Sequence, residues 1–435
     1  MIIPLNRESN ISSVKRILLA GIVLFSIIPD IGIKLQLAGF TWTAYRLIVP
    51  SSLFLVVLLD GFHIRIDYRK YVNRWIVLLC VWLFYGGILF FASSYVEHHD
   101  GLIELLSIFN GLAVMYCLER LVKNKQDIEF CIELVLFVLS LNIIIAFTEI
   151  LTGHHWLASA YNDSMSSISR YENRNMATGF MYNMNDFSAM ISCLCPILLF
   201  SKSYLKKILL FSSVIIINLI NDATICNLAI VIAVGFYCFF LKNLSKKGTI
   251  IKRVLAFSSV FGLVFILIMI GTNRLLVGNN LIGAVYRQFS NFQGHTGSLY
   301  IRYNVYRESI KAWINSCFLG IGPAGFTNYF IANVKDAIVV NPHSLFLEIL
   351  TEYGVAILSG FAINLWVLFY GSYKRYTNEK IKYIRRGDLF VMMQVIVYII
   401  ASFAPSSFLG YSYQWLIIAI SSNMVYFSGL PQSSI

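Results

Sequence analysis

The sequence predicts an all-α polytopic membrane protein with about twelve transmembrane helices and one long extracytoplasmic loop that contains short helices. Of its 435 residues, 58% are hydrophobic and only 13% are charged, whereas about a quarter of the residues in an ordinary soluble domain are charged. Apolar runs of about 20 residues recur along the chain, and each is long enough to cross a bilayer core as a helix. The runs are continuous rather than alternating, which excludes a transmembrane β-barrel.

The apolar runs define the predicted organisation of the chain. We predict spans at residues 17–33, 44–62, 74–93, 102–122, 129–151, 177–200, 208–221, 223–241, 254–272, 353–372, 389–408 and 412–428. The 208–241 stretch is divided at Asn221-Asp222, because one helix of about 34 residues would far exceed the membrane thickness. Residues 1–272 thus hold helices 1–9 and a smaller outer loop at about 152–176. Residues 273–352 form the long loop and a re-entry helix, and residues 353–435 hold helices 10–12.

The basic residues predict the orientation. Most of the 34 Lys and Arg residues fall in alternate short segments between spans, such as the one with Arg65, Arg69 and Arg74, which is the bias of cytoplasmic loops. Both termini are therefore expected in the cytoplasm. This distribution also explains the net charge of +12 without nucleic acid as a partner. The eight cysteines lie almost entirely in apolar runs and form no metal-ligand spacing.

The long loop carries excess positive charge. It contains Arg287, Arg302 and Arg307, and the planar guanidinium suits the oxygens of a phosphate or pyrophosphate. The alternative is that the charge has no function, since long loops are exempt from the positive-inside rule. Residues 298–318 read as an amphipathic helix, either lying on lipid or packed on the bundle.

The loop ends at a histidine and two carboxylates. Asn341 is predicted as the N-cap of the re-entry helix, Pro342 as its first residue, and His343 as part of its first turn. The helix dipole would there keep the imidazole neutral and able to accept a proton, although a purely structural His343 stays open. Glu348 and Glu352 share a helix face. We expect each carboxylate to have a partner, which for Glu352 is a loop arginine. A catalytic role for Glu352 is the alternative.

Several motifs in this order resemble a known superfamily. Arg302 begins the loop helix, FLGIGPAGF forms a glycine-rich turn, His343-Ser344 follows, and then Glu352-Tyr353-Gly354. Upstream, GFMYNMNDFSAM would put the polar side chains of Asn183 and Asn185 at the outer end of a helix. Together these motifs resemble the Wzy-type polysaccharide polymerases and WaaL-type O-antigen ligases of bacterial envelopes.

One segment departs from the family pattern. Many members carry a Ser-Arg pair where this chain reads NDATICNLAI, so an arginine that would help to hold the donor is absent there. Arg170 or Arg174, in the smaller outer loop, is a candidate replacement.

The resemblance implies a glycosyltransferase at the outer face of the bacterial cytoplasmic membrane. Its donor and acceptor would be glycans linked to undecaprenyl pyrophosphate, and it would need no nucleotide sugar, metal or other cofactor. His343 would accept the acceptor's proton, with Arg302 as the second catalytic residue. Donor-pyrophosphate binding is assigned to Arg302, Arg307, Arg287, Arg170 and Arg174, and supporting roles to Glu348, Glu352, Asn183 and Asn185.

Three functions remain open at this point. The first is a polymerase that joins repeat units into O-antigen, capsule or exopolysaccharide, with a flippase and a chain-length regulator as possible partners in the membrane. The second is a ligase that transfers glycan to lipid A core or another acceptor. The third is a non-enzymatic flippase or transporter, which predicts charged residues within the spans and two similar halves; the sequence indicates nearly charge-free spans and shows no internal repeat.

Overall fold

The computed structural model describes residues 7–29, 34–37, 40–60, 70–156, 162, 173–240, 297–334, 342–378, 382–405 and 407–428, which are predominantly α-helical. A short antiparallel hairpin, β1 (Lys34–Leu37) and β2 (Phe40–Thr43), joins the first two helices. A 3-10 helix, Cys195–Phe200, directly follows α6. The helices are α1 (Arg7–Ile27), α2 (Ala44–Asp60), α3 (Tyr71–Ala92), α4 (His98–Leu121), α5 (Lys125–Thr152), α6 (Met184–Leu194), α7 (Tyr204–Ile220), α8 (Thr224–Phe240), α9 (Gly297–Asn315), α10 (Gly325–Asn333), α11 (Leu345–Asn378), α12 (Lys382–Ala401) and α13 (Ser412–Ser428).

The helical class is confirmed for the described residues. Every predicted span that falls on them contains a helix, while the span 254–272 lies outside them. By length and composition, α3, α4, α5 and α11 are able to cross a membrane, and three apolar helical stretches, 44–59, 184–200 and 224–240, are shorter. The count of twelve transmembrane helices stays a prediction.

The predicted division at Asn221-Asp222 is confirmed. Helix α7 ends at Ile220 and α8 begins at Thr224, and Asp222 between them has a φ of +53°. This left-handed conformation cannot continue an α-helix. The predicted span 177–200, by contrast, is helical only from Met184, because Asn183 caps α6 by accepting a hydrogen bond from the N–H of Asn185 at 2.8 Å.

Helix α11 is broken at Gly354, which has φ 74° and ψ −178°. A Cβ at this position would lie 2.5 Å from the carbonyl oxygens of both Phe318 and Leu319. The loop backbone therefore passes against the helix at this point, as only glycine permits. The break separates a re-entry helix, residues 345–353, from the longer span that follows it.

The predicted inner and outer segments lie at opposite ends of the bundle. At one end, Lys70 is paired with Glu119 at 2.7 Å, and Lys15 with Asp127 at 2.6 Å. At the other, the turn after α3 contacts the loop, since Asn328 donates to the carbonyl of Tyr95 at 3.0 Å. Between the ends, Trp82 packs edge-on against Tyr353, Phe361 and Trp415, which seats α11 on α3 and α13.

Candidate functional site

His343 lies immediately before the re-entry helix and not in its first turn, so that prediction is wrong. Its φ of +50° is left-handed, which is incompatible with an α-helical turn. The helix begins at Leu345, and the carbonyl of Ser344 accepts its first hydrogen bond, from the N–H of Glu348 at 2.9 Å. Ser344 is therefore the N-cap. Pro342 is not helical, and Asn341 lies outside the described residues.

Helix α9 brings Arg302 close to His343. The helix lies along the re-entry helix, because Tyr306 donates to the carbonyl of His343 at 3.4 Å and Thr351 donates to the carbonyl of Ser309 at 3.4 Å. Arg302 is one turn before Tyr306 and so shares its face. Because Glu308 and Ser309 are also buried, α9 packs on the bundle rather than lying free on lipid.

The surroundings of His343 favour the neutral imidazole. Burial lowers the pKa of His343, the positive charge of Arg302 lowers this pKa further, and a hydrogen bond to the backbone at Pro405 acts in the opposite direction. The Nδ1 atom is buried and has no hydrogen-bond partner among the described residues. His343 thus offers a nitrogen able to accept a proton.

The charge of Arg302 acts on His343, and the other predicted arginines have different surroundings or lie outside the described residues. Arg307 is exposed and bonds Glu308, with its Nε and one terminal nitrogen each 3.1 Å from Oε1. Lys311 reaches the same Glu308 oxygen at 2.8 Å. Arg174 is exposed, whereas Arg170 and Arg287 lie outside the described residues. Within the described part of the chain, Arg302 has no carboxylate partner.

Asn221 occupies the segment that departs from the family pattern, and it binds backbone. Its side chain forms two 2.8 Å hydrogen bonds with Ala177, accepting from the N–H and donating to the carbonyl. It also donates to the hydroxyl of Ser188 at 3.1 Å. Asn221 thus fixes the non-helical residues before α6, where Asn183 and Asn185 are half-buried at the helix end, as predicted.

Glu348 is buried and is held by the turn between α12 and α13. The hydroxyl of Ser407 donates to one carboxylate oxygen, and the N–H of Phe408 donates to the other at 3.0 Å. Its predicted pairing thus comes from neutral donors, which suits a buried carboxylate.

Glu352 pairs with another acid instead of the expected loop arginine. Its Oε1 accepts from the N–H of Phe326 at 3.4 Å, and its carboxyl lies beside that of Glu104. Glu104 also accepts from the hydroxyl of Tyr353 and, at 2.9 Å, from the N–H of Ala324. Among the described residues neither acid forms an ion pair with an arginine or lysine.

Glu104 was not predicted as a site residue, and the prediction of nearly charge-free spans is wrong. Glu104, Glu149 and Asp186 all fall inside predicted spans, and Glu104 and Glu149 accept hydrogen bonds from backbone N–H groups. The sequence could have indicated these acids, because an acidic residue inside an apolar run is costly and usually has a function. Because a transporter also predicts acids inside the spans, it is the lack of an internal repeat in the sequence that disfavours a transporter.

Glu149 organises a second polar group, beside the smaller outer loop. Its carboxylate accepts from the N–H groups of Thr178 and Gly179 at 2.8 and 2.9 Å. The buried ring of His155 lies 3.6 Å from the same carboxylate, and its Nε2 is 3.4 Å from the carbonyl of Arg174. These bonds tie the backbone next to Arg174 to the end of α5.

The arrangement around His343 suits acid–base chemistry on an anionic substrate. A neutral imidazole can take a proton from a hydroxyl, and a guanidinium can stabilise charge that develops on a phosphate. Arg302 lies on α9 and His343 directly precedes the re-entry helix. Both helices pack on the bundle, so the fold sets the separation of the two side chains.

Comparison with protein families points to the same region. Residues 187–362 match the model of the O-antigen ligase family. The matched region contains Arg302, His343, Glu348 and Glu352, and it excludes Glu104 and Glu149. No curated protein matches the chain.

Proposed function

Because the chain belongs to the superfamily of O-antigen ligases and Wzy-type polymerases, we propose that it polymerises oligosaccharide repeat units linked to undecaprenyl pyrophosphate. The products are O-antigen, capsule or exopolysaccharide, made at the outer face of the bacterial cytoplasmic membrane by an enzyme with cytoplasmic termini. The observation that carries the proposal is the position of Arg302 on α9, one turn from Tyr306, whose hydroxyl donates to the carbonyl of His343 at 3.4 Å.

In the proposed reaction His343 acts on the acceptor hydroxyl and Arg302 acts on the leaving pyrophosphate. Nδ1 of His343 accepts the proton of the acceptor sugar hydroxyl as its oxygen attacks the anomeric carbon of the donor. The bond from that carbon to the pyrophosphate oxygen breaks, and undecaprenyl pyrophosphate leaves with the electron pair. Arg302 stabilises the charge on this leaving group, and His343 then releases its proton to solvent. Neither a nucleotide sugar nor a metal ion is required.

The remaining arginines are proposed to hold the pyrophosphate before and during the reaction. Arg174 extends from a backbone segment tied to His155, which favours it as a second donor ligand. Arg307 would have to exchange Glu308 for the pyrophosphate, so its contribution is expected to be smaller. Arg170 and Arg287 complete the proposed set.

A ligase is the second candidate, and the description of the matching family favours it. The two activities need the same donor chemistry and differ in the acceptor. Loss of a polymerase leaves single repeat units on the acceptor, whereas loss of a ligase leaves long chains on undecaprenyl pyrophosphate. In the polymerase pathway the partners are a flippase that supplies the repeat unit and a chain-length regulator.

The test compares variants in membranes supplied with a lipid-linked repeat unit. We expect His343→Ala and Arg302→Ala to abolish transfer while expression and insertion stay normal. Arg302→Lys should also fail, because an ammonium cannot make the two parallel contacts of a guanidinium. His154→Ala and Lys311→Ala are matched controls, an exposed outer histidine and a cation on α9 paired with Glu308. Near-normal product from His343→Ala or Arg302→Ala would reject the assignment.

A further inference from the structure

Glu104 anchors the glycine-rich turn that follows α9. Its Oε2 accepts from the backbone N–H of Ala324 at 2.9 Å, and its other oxygen accepts from the hydroxyl of Tyr353. The turn itself is bonded to the re-entry helix, where the carbonyls of Thr351 and Glu352, released by the break at Gly354, accept from loop N–H groups at 2.9 Å. Glu104 is the contribution of α4 to this junction.

Glu104 and Glu352 accept from N–H groups two residues apart, Ala324 and Phe326, so their carboxyls are adjacent. A hydrogen bond between them requires a proton. Two ionised carboxylates cannot share such a bond, because both would be acceptors only and both negative. The two carboxyls have different numbers of hydrogen-bond donors. Glu104 accepts from both Ala324 and Tyr353. Oε2 of Glu352, by contrast, is buried with no donor among the described residues. This asymmetry assigns the proton to Glu352.

We propose that Glu104 and Glu352 are positioning residues for the proposed transferase: Glu352 stays protonated and donates to the carboxylate of Glu104, and the pair fixes the turn that sets the position of Arg302. The inference rests on the proposed function, since it concerns the geometry of the same site. In the part of the chain that the structure describes, the hydrogen bonds of both acids go to the turn and the re-entry helix and not to Arg302 or His343.

The turn reaches Arg302 through a small apolar cluster. Val305 and Ala312 of α9 pack with Ile321 of the turn and with Phe326 at the start of α10, and all four side chains are buried. Val305 is one turn from Arg302, so a turn that detaches from Glu104 carries this part of α9 with it. The geometry opposite His343 then changes, and a shift of about 1 Å is enough to lower a rate by about 100-fold.

The proposal predicts a pH dependence. Among the described residues, the titratable groups that face the pair are Glu348 and Tyr353, both from the re-entry helix. When alkaline pH removes the proton of Glu352, two adjacent negative charges repel and the turn is released. Glutamine at position 352 carries a permanent N–H donor where the acid has its proton, and its carbonyl can still accept from Phe326.

The experiment measures transfer against pH for wild type, Glu352→Gln, Glu352→Ala and Glu104→Ala. Glu352→Gln should keep transfer within about twofold of wild type near neutral pH and lose less rate at alkaline pH, because it retains both hydrogen bonds. Glu352→Ala and Glu104→Ala should lose about tenfold or more, because buried N–H groups lose their acceptors. Glu97→Gln is the matched control, an exposed acid at the start of α4 whose side chain makes no capping bond.

Amide hydrogen exchange of the peptide containing Ala324 and Phe326 separates this proposal from the proposed function. Exchange there should rise in Glu104→Ala and stay at the wild-type level in Glu352→Gln and Glu97→Gln, whether or not the protein is a transferase. Exchange that follows this pattern without any transfer activity would reject the function and keep the anchoring role of the pair. The proposal is overturned if Glu352→Gln behaves like Glu352→Ala, or if exchange is unchanged in Glu104→Ala.

Discussion

Replacing Gly354 by alanine should strongly destabilise the contact between the long loop and the bundle. The residue has φ 74° and ψ −178°, a backbone region that costs other residues about 1–3 kcal/mol. A Cβ would also lie 2.5 Å from two carbonyl oxygens, so the loop must move away. That movement breaks the bonds from Ile321 N–H to Thr351 and from Gly322 N–H to Glu352, both 2.9 Å.

The magnitude follows from these contributions. Two lost hydrogen bonds are worth about 1 kcal/mol each, and with the backbone cost the free energy of unfolding should fall by about 3–5 kcal/mol. The assay is unfolding of purified protein in mixed micelles with increasing SDS. Gly87→Ala is the matched control, because a Cβ on this glycine of α3 meets no atom within 4 Å. If Gly354→Ala and Gly87→Ala unfold at the same SDS content, the explanation given for the helix break is wrong.

Three further predictions follow from individual side chains. Arg302→Gln should raise the pKa of His343, because it removes the charge that helps to lower it. NMR titration of the His343 ring measures this pKa without any activity, and an unchanged pKa would contradict the proximity of the two residues. Asn221→Ala should cost about 2–4 kcal/mol in the same SDS assay, because two buried backbone groups lose their partners; a cost near zero would reject its role before α6. Glu348→Ala should lower the free energy of unfolding by a similar amount, since the N–H groups of residues 408 and 409 lose their acceptor. Wild-type stability would show that these N–H groups bind elsewhere.

The sequence predicted the helices well because an apolar run reports directly on burial in lipid. It also predicted the division at Asn221-Asp222, where a single helix would be too long for a bilayer. The helix of the long loop was predicted from its mixed apolar and basic residues, and the structure has it at Gly297–Asn315.

The contacts between distant segments could not be predicted in the same way. Tyr353 and Glu104 are 249 positions apart in the chain, and a periodic pattern identifies the face of a helix but not the partner that covers it. The left-handed backbone of His343 was missed for a related reason. Asn341 and Pro342 are good local signals for a helix start. In the structure, however, His343 contacts Tyr306 and Pro405, which are distant in sequence, and the helix starts only at Leu345.

The central claim is that this protein transfers glycan from a lipid pyrophosphate with His343 as the proton acceptor. The most direct measurement places purified protein in vesicles with only the lipid-linked repeat unit, and follows glycan length together with release of undecaprenyl pyrophosphate. We expect longer glycans, one undecaprenyl pyrophosphate released for each bond formed, and neither product with His343→Ala. Intact protein that moves the lipid-linked unit across the vesicle membrane without lengthening or transferring it would contradict the claim.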